Sequence, residues 1–182
     1  MDRADVTGLI VAGGSSRRFG TDKALAVVDG RPLIAHVHAA LAPLCHETLV
    51  ATGPTPRSYP VPGRVVVDPV PDGGPLAGLV AGLSEMRTPW LLAVAADLPH
   101  VTVGVLLSLL ERAVEGRVVV AVDAEGRRQP LCAVYPASVR DVAVAQLSGA
   151  DVSMRAVLRR LQVREVPVSD AALRNVNRLA DL

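Results

Sequence analysis

Aromatic residues are nearly missing: Phe19, Tyr59, Trp90 and Tyr135 are the whole supply in a chain of 182 residues. A core with so few rings must be filled by Val, Leu and Ala, the mix of packed α/β layers, and the surface has almost no platforms on which bases could stack. An excess of either charge is missing too. Lys and Arg number 19 against 18 Asp and Glu, a net charge of +1, and no basic stripe recurs, which argues against a nucleic-acid partner. The two cysteines, Cys45 and Cys132, lack metal-type spacing, so free thiols in a reducing, cytoplasmic compartment are expected. No apolar run reaches the about 20 residues of a membrane span, and Met1-Asp2-Arg3-Ala4-Asp5 is not an apolar signal region, so no membrane association is expected. With four histidines and two cysteines, neither a Ser-His-Asp nor a Cys-His arrangement nor a zinc spacing can be read. His36 and His38, two apart on a helix, point in different directions and read as surface residues. Covalent catalysis is therefore not expected.

What the chain does contain is concentrated near its start. The apolar run Leu9-Ile10-Val11-Ala12 ends in Gly13-Gly14, and Ser15, Ser16, Arg17, Arg18, Gly20 and Lys23 follow. This is the pattern of a strand running into a phosphate loop: glycines let the backbone turn and approach a ligand, so that its N–H groups can face phosphate oxygens, while the cations add charge. A solvated turn is the bland alternative. The loop is not a Walker loop, since Gly20 is followed by Thr21-Asp22-Lys23, and its glycines do not have the Gly-x-Gly-x-x-Gly spacing of a dinucleotide fingerprint.

Further along, strands alternate with helices. Strands are expected at Thr7–Val11, Thr48–Ala51, Val65–Val67, Trp90–Ala96, Val118–Val122, Leu131–Tyr135 and Val163–Val166, with a short extended piece at Leu25–Val28 closed by Asp29-Gly30. Helices are expected from Pro32 to about Leu44, from Gly74 onward, over Val103–Val114, Val139–Leu147 and Ser153–Leu161. The proline-rich run 52–62 is a loop, and Glu125–Arg128 a polar turn. Residues 1–182 thus read as one α/β domain, a three-layer sandwich with a mostly parallel, Rossmann-like sheet. Ligands of such sheets sit outside the carboxyl ends of strands, where the first loop, Asp68, Asp97 and Asn177 can converge. A triphosphate with Mg²⁺ suits that collection, although a lone Asp after a strand can equally be a turn former or cap. Gly74, Gly78 and Gly82 recur every four residues, and this stripe reads both as close packing on the sheet and as a helix start, near Gly74 and Pro75, that faces nucleotide.

The stretch from Val11 to Lys23 resembles the signature Leu-Ala-Gly-Gly-x-Ser-x-Arg-Met-Gly-x-Asp-Lys of the MobA-like nucleotidyltransferases, which build the dinucleotide form of the molybdenum cofactor; Val11 and Phe19 replace Leu and Met. Gly13-Gly14 is similar to the guanylyl branch, where cytidylyl relatives read Ala-Ala-Gly. Gly74-Pro75-Leu76-Ala77-Gly78, Asp97-Leu98-Pro99, Gln129-Pro130-Leu131 and Asn175-Val176-Asn177 extend the resemblance in the family's order across nearly the whole chain. Departures are Ala51, where Asn or Ser is common, Cys132, where His is common, and Arg178-Leu179-Ala180 in place of Thr-Pro-Glu.

The resemblance implies a nucleotide-diphospho-sugar-transferase-like fold and transfer of GMP from GTP to the terminal phosphate of molybdopterin. It implies that Val11, Ala12, Gly13 and Gly14 contact nucleotide, with Gly74 and Pro75 facing it, and that Lys23 and Arg18 neutralise phosphate charge. Asp68 would hold the nucleoside, and Asp97 would ligate Mg²⁺ with Asn177. Gln129, Ser153 and Asn175 would serve the pterin side, and base contact at the Ala51 position would fall to the backbone or Thr52. Transient contact with molybdopterin-delivering proteins or molybdoenzymes is implied as well. A cytidylyl or sugar-phosphate nucleotidyltransferase and a non-catalytic nucleotide-binding regulator remain open alternatives; a dehydrogenase is disfavoured by the failed fingerprint.

Overall fold

The computed structural model describes residues 1–13 and 22–176. Strand β1 (Val6–Val11) is buried along its whole length. A 3-10 turn at Lys23–Leu25 and a two-strand ribbon, β2 (Val27–Val28) and β3 (Arg31–Pro32), follow. The ribbon closes through Asp29 and Gly30 at φ of 48° and 74°, the two left-handed positions that a tight hairpin requires. Leu25, expected in an extended piece, belongs instead to the turn, because the Asp22 carboxylate accepts the Ala24 amide at 3.0 Å and winds the chain there.

Helix α1 (Leu33–Leu41) starts after Pro32, and Leu44 lies beyond it in a 3-10 turn. Next come β4 (Glu47–Ala51), β5 (Arg64–Val66), α2 (Gly74–Glu85), β6 (Trp90–Ala95) and α3 (Val103–Leu110). Helix α3 ends four residues short of the expected Val114, because the chain must turn into the next strand, which it does through Gly116 at φ 76°. The order closes with β7 (Arg117–Val122), β8 (Arg128–Pro136), α4 (Arg140–Leu147), α5 (Met154–Arg159) and β9 (Gln162–Pro167).

Seven strands form one sheet in the order β5-β4-β1-β6-β8-β7-β9. All neighbours are parallel except where β8 pairs with β6 and β7, so β8 alone runs against the rest. Alternation along the strands divides the core. Ile10, Leu92, Val94, Val119 and Ala121 pack with Ile34, Val37 and Leu41 of α1 and Leu106 and Leu109 of α3. Leu9, Leu91, Ala93, Val118 and Val120 pack on the other face with Leu76 and Leu79 of α2, Leu147 of α4 and Val157 of α5. Each fully buried Leu or Val contributes roughly 1.5–3 kcal/mol, so a strand shifted by one residue would lose both faces at once and the register is firmly set. Gly82 belongs to this packing: a Cβ there would stand 2.6 Å from Leu9 Cδ2.

From β1 the chain moves outward to β4 and β5, then returns through α2 to β6 on the other side of β1. The carboxyl ends of β1 and β6 therefore part at a topological switch point, where a crevice opens. Val11 is in register with Ala51 and Ala95, which brings the ends of three strands level at that crevice. No helix among the described residues is long and apolar enough to cross a membrane.

Candidate active site

The crevice at the switch point holds a cleft of about 270 Å³ lined by Val11, Ala12, Gly13, Lys23, Ala24, Pro75, Ala95, Ala96, Asp97 and Leu131. β1 supplies one wall and β6 the other. Gly13 marks the tightest approach: a Cβ built on it would lie 2.4 Å from the Gly53 nitrogen, so the loops after β1 and β4 can cross only with glycine there. The amides of Ala12 and Gly13, both residues of the cleft lining, donate to the Ala51 carbonyl at 2.9 Å. Backbone pairing across the strand ends consumes them. Gly14, Arg18 and Asn177 lie outside the described residues.

Asp97 follows β6 with its carbonyl accepting the Val176 amide at 3.1 Å, so the segment after β9 is tied to the cleft. Its carboxylate Oδ2 accepts Lys23 Nζ at 2.6 Å, with the two side chains 25% and 22% exposed. The two residues singled out for metal and phosphate thus meet each other across 74 positions of sequence. Both remain open to the cleft, and a charge pair that is still solvent-accessible can exchange partners when a polyanion enters.

Asp68 stands beside this cleft rather than in its lining. Its amide donates to the Gly53 carbonyl at 3.0 Å, and its Oδ1 is buried without a hydrogen-bond partner. Burial raises its carboxyl above the ordinary range, while a hydrogen bond with the Gly53 backbone pulls the other way. Gly78 makes the room: its missing Cβ would lie 3.1 Å from Val11, 3.3 Å from Ala51 and 3.7 Å from that orphan oxygen. Thr52, the proposed substitute at the Ala51 position, is buried and donates its hydroxyl to the Thr55 carbonyl at 3.0 Å, so its side chain is occupied within its own loop. Gly74, at φ 59°, and Pro75 open α2 at the surface, and Pro75 alone of the two lines the cleft.

A second, wider groove of about 1130 Å³ adjoins the first, and Pro75 lines both. The reversed direction of β8 explains it: Gln129-Pro130-Leu131 begins a strand at the edge where the others end. Ala121 pairs with Gln129 but Val120 with Ala133, an irregularity that throws Pro130 and Leu131 out of the β7 ladder. Proline suits the site because it has no N–H to lose. The fully buried Tyr135 braces the bulge by donating its hydroxyl to the Pro130 carbonyl at 2.7 Å. Gln129 and Ser153 both line the groove, and the Ser153 hydroxyl also accepts the Ala156 amide at 3.2 Å and caps α5. Asn175 is not among the residues that line it, and its amide oxygen is buried without a hydrogen-bond partner. The groove is rich in arginine, a feature that the motifs did not single out. Arg127, Arg128 and Arg159 are paired with Asp123 and Glu125, Glu165 and Asp151, whereas Arg155 and Arg174 have no ion pair among the described residues. Cys132 is fully buried in the α1 and α3 face, its thiol pushed up to about 12 by burial, so this departure is absorbed by the core and does not reach the groove.

Compared with known proteins, residues 8–166 match the family model of the MobA-like NTP transferase domain. The chain belongs to that family. A molybdenum cofactor guanylyltransferase of Cupriavidus metallidurans is 37% identical over 193 residues, covering 100% of this chain and 95% of that protein. Among solved structures, this MobA-like chain superposes on a protein of Aquifex aeolicus with a TM-score of 0.81 at 23% identity, covering 97% of this chain and 95% of the other. Molybdopterin-guanine dinucleotide biosynthesis protein A of Archaeoglobus fulgidus gives 0.77 at 22% identity, over 96% and 94% of the two chains. At these identities the two structures establish the nucleotidyltransferase fold of the MobA-like family, while the sequence match establishes membership.

Proposed function

We propose that this MobA-like protein transfers GMP from GTP to the terminal phosphate of molybdopterin, forming the guanine dinucleotide and releasing pyrophosphate. The observation that carries the reading is the pair of cavities meeting at Pro75: a small one at the switch point with Lys23 and Asp97, and a wide one lined by arginines. The first suits a triphosphate and the second an anionic acceptor. Full-length similarity to the Cupriavidus protein and the Ala12-Gly13-Gly14 motif favour guanine.

The chemistry asks little of acid or base groups. An acceptor phosphate oxygen, already anionic, forms a bond to the α-phosphorus of GTP; the bond from that phosphorus to the bridging oxygen breaks, and its electron pair leaves with pyrophosphate. Positioning and charge stabilisation suffice. Lys23 is placed to meet phosphate charge, and Gly13 and Pro75 shape the wall against which the nucleotide lies. Asp68, with Oδ1 unpaired beside Gly78, is an acceptor for nucleoside donors.

The donor set fits Mg²⁺. Asp97 offers a partly exposed hard oxygen, and no group of three or more acidic, His or Cys side chains that could hold an ion exists among the described residues. One carboxylate completed by substrate phosphates and water is the usual magnesium arrangement. Asp97 would hold the ion, with Asn177 as the second candidate ligand, and the bound ion would supply neutralisation of phosphate charge. Residues 1–182 then act as a single domain in a reducing cytoplasm, a setting supported by the two free cysteines, on a pterin passed on by another protein.

A thermal-shift series with GTP, CTP, ATP and UTP, each with Mg²⁺, tests the nucleotide. GTP at ~100 times its dissociation constant should stabilise by roughly 2.7 kcal/mol, and more than CTP does. A larger shift with CTP would move the assignment to cytidylyl transfer, and no shift with any nucleotide would contradict it.

A further inference from the structure

The proline-rich segment 52–63 touches the β1 loop at both of its described ends. At one end Gly53 is pressed against Gly13. At the other, Tyr59 and Arg57 reach Asp22, the residue next to Lys23: the Tyr59 hydroxyl donates to Asp22 Oδ2 at 2.8 Å, and Arg57 Nη1 donates to the same oxygen at 3.1 Å. The other oxygen, Oδ1, accepts the Ala24 amide at 3.0 Å and so winds the turn on which Lys23 sits. The Asp22 side chain is only 14% exposed, and the Tyr59 ring packs against the α1 and α3 core, so one end of this chain of contacts is anchored. Pro54, Pro56, Pro60 and Pro62 stiffen the segment between the anchors.

We propose that Tyr59 and Arg57 are positioning residues for nucleotidyl transfer: by fixing Asp22 they set the turn that aims Lys23 into the cleft. Neither side chain lines the cleft, so both act through Asp22 and Lys23. The inference rests on the phosphate-neutralising role of Lys23 under the proposed function. A cation displaced by about an ångström loses most where charge shifts toward the leaving pyrophosphate, so turnover suffers more than ground-state binding.

The test compares Tyr59→Phe, Arg57→Ala, their double variant, Asp22→Asn and the triple variant by pyrophosphate release with GTP, Mg²⁺ and molybdopterin, by GTP affinity and by melting temperature. The double variant should lose on the order of tenfold in kcat, while its GTP dissociation constant rises less than about threefold and its melting point stays within about 2 °C of the parent. Arg57→Lys, which keeps the charge, should recover part of any loss seen in Arg57→Ala. Because the contacts form one unit, Asp22→Asn should cost at least as much as the double variant, and the triple no more than Asp22→Asn. Parental kcat in the double variant overturns the proposal, as does a triple variant whose loss is the product of the separate losses. A parent that binds GTP but releases no pyrophosphate would defeat the proposed function instead; the positioning role would then stand or fall on GTP affinity, requiring weaker binding in the double variant and no further weakening in the triple.

Discussion

Asp97 and Lys23 stand 2.6 Å apart at the mouth of the switch-point cleft, each about a quarter exposed. A structural pair at such exposure contributes little to stability, with typical values below about 1 kcal/mol, so stability alone does not explain why two opposite charges share this cleft. If Asp97 serves the reaction, Asp97→Asn should fold, melt within about 2 °C of the parent and bind GTP, yet turn over on the order of a hundredfold more slowly. A turn or cap role predicts near-parental turnover, since Asn caps as well as Asp, and pyrophosphate release measured with melting temperature on one sample decides. Asp68 gives a different signature. Burial raises its carboxyl, so the folded state resists ionisation: its favourable contribution is complete below the ordinary carboxylate range and is lost as pH rises through the raised value. Asp68→Asn should therefore raise the melting point at pH 7, by up to about 3 °C, and the gain should vanish toward pH 3, while GTP affinity falls because the amide carries no charge and puts a donor where the carboxylate offers a second acceptor oxygen. Equal melting curves at both pH values, or parental GTP affinity, would contradict this.

At the level of elements, β8 does the most to shape the wide groove. Running against its neighbours, it delivers Gln129, Pro130 and Leu131 to the edge where β1, β4, β5 and β6 end, and its bulge is held by the buried Tyr135 hydroxyl. Tyr135→Phe removes that one bond without emptying the core. The loss of a buried hydrogen bond costs about 1–1.5 kcal/mol, which lowers the melting point by roughly 2–6 °C. The loosened bulge should also raise KM for the pterin more than it weakens GTP binding, since Gln129 and Pro130 line the wide groove and Leu131 the switch-point cleft; a larger effect on GTP affinity would show that the bulge chiefly serves the nucleotide. Local signals made most elements readable. Leu33, Ile34, Val37, Ala40 and Leu41 recur at helical spacing and form one buried face, and Trp90–Ala95 is the uniformly apolar strand that its composition announces. The reversal of β8 leaves no such mark, because a strand's pattern of apolar residues is the same in either direction. The end of α3 was also hidden, since Val114 continues the apolar spacing and only the need to enter β7 stops the helix.

Across the whole molecule, the switch point between β1 and β6 gathers residues that are distant in sequence, and this is where reading residues in order reached its limit. Glycines and apolar runs marked the strand ends, and a place in a motif or after a strand singled out Lys23, Asp68, Asp97 and Gln129, of which Lys23 and Asp97 line the cleft and Gln129 the groove. The pairing of Lys23 with Asp97, the burial of Asn175, the internal bond of Thr52 and the contact of Tyr59 with Asp22 are each set by packing between separate segments, which leaves no periodicity to detect. The arginines of the wide groove come from the β7–β8 turn, α5 and the segment after β9, so they form a cluster only in three dimensions. Under the proposed function, two adjoining cavities bring a nucleoside triphosphate and an anionic acceptor together for transfer. Incubating the protein with GTP, Mg²⁺ and molybdopterin and quantifying pyrophosphate and guanine dinucleotide tests it most directly. Equimolar appearance of the two products, dependent on both substrates, is the predicted result; GTP bound without either product, or pyrophosphate released without molybdopterin, would contradict it.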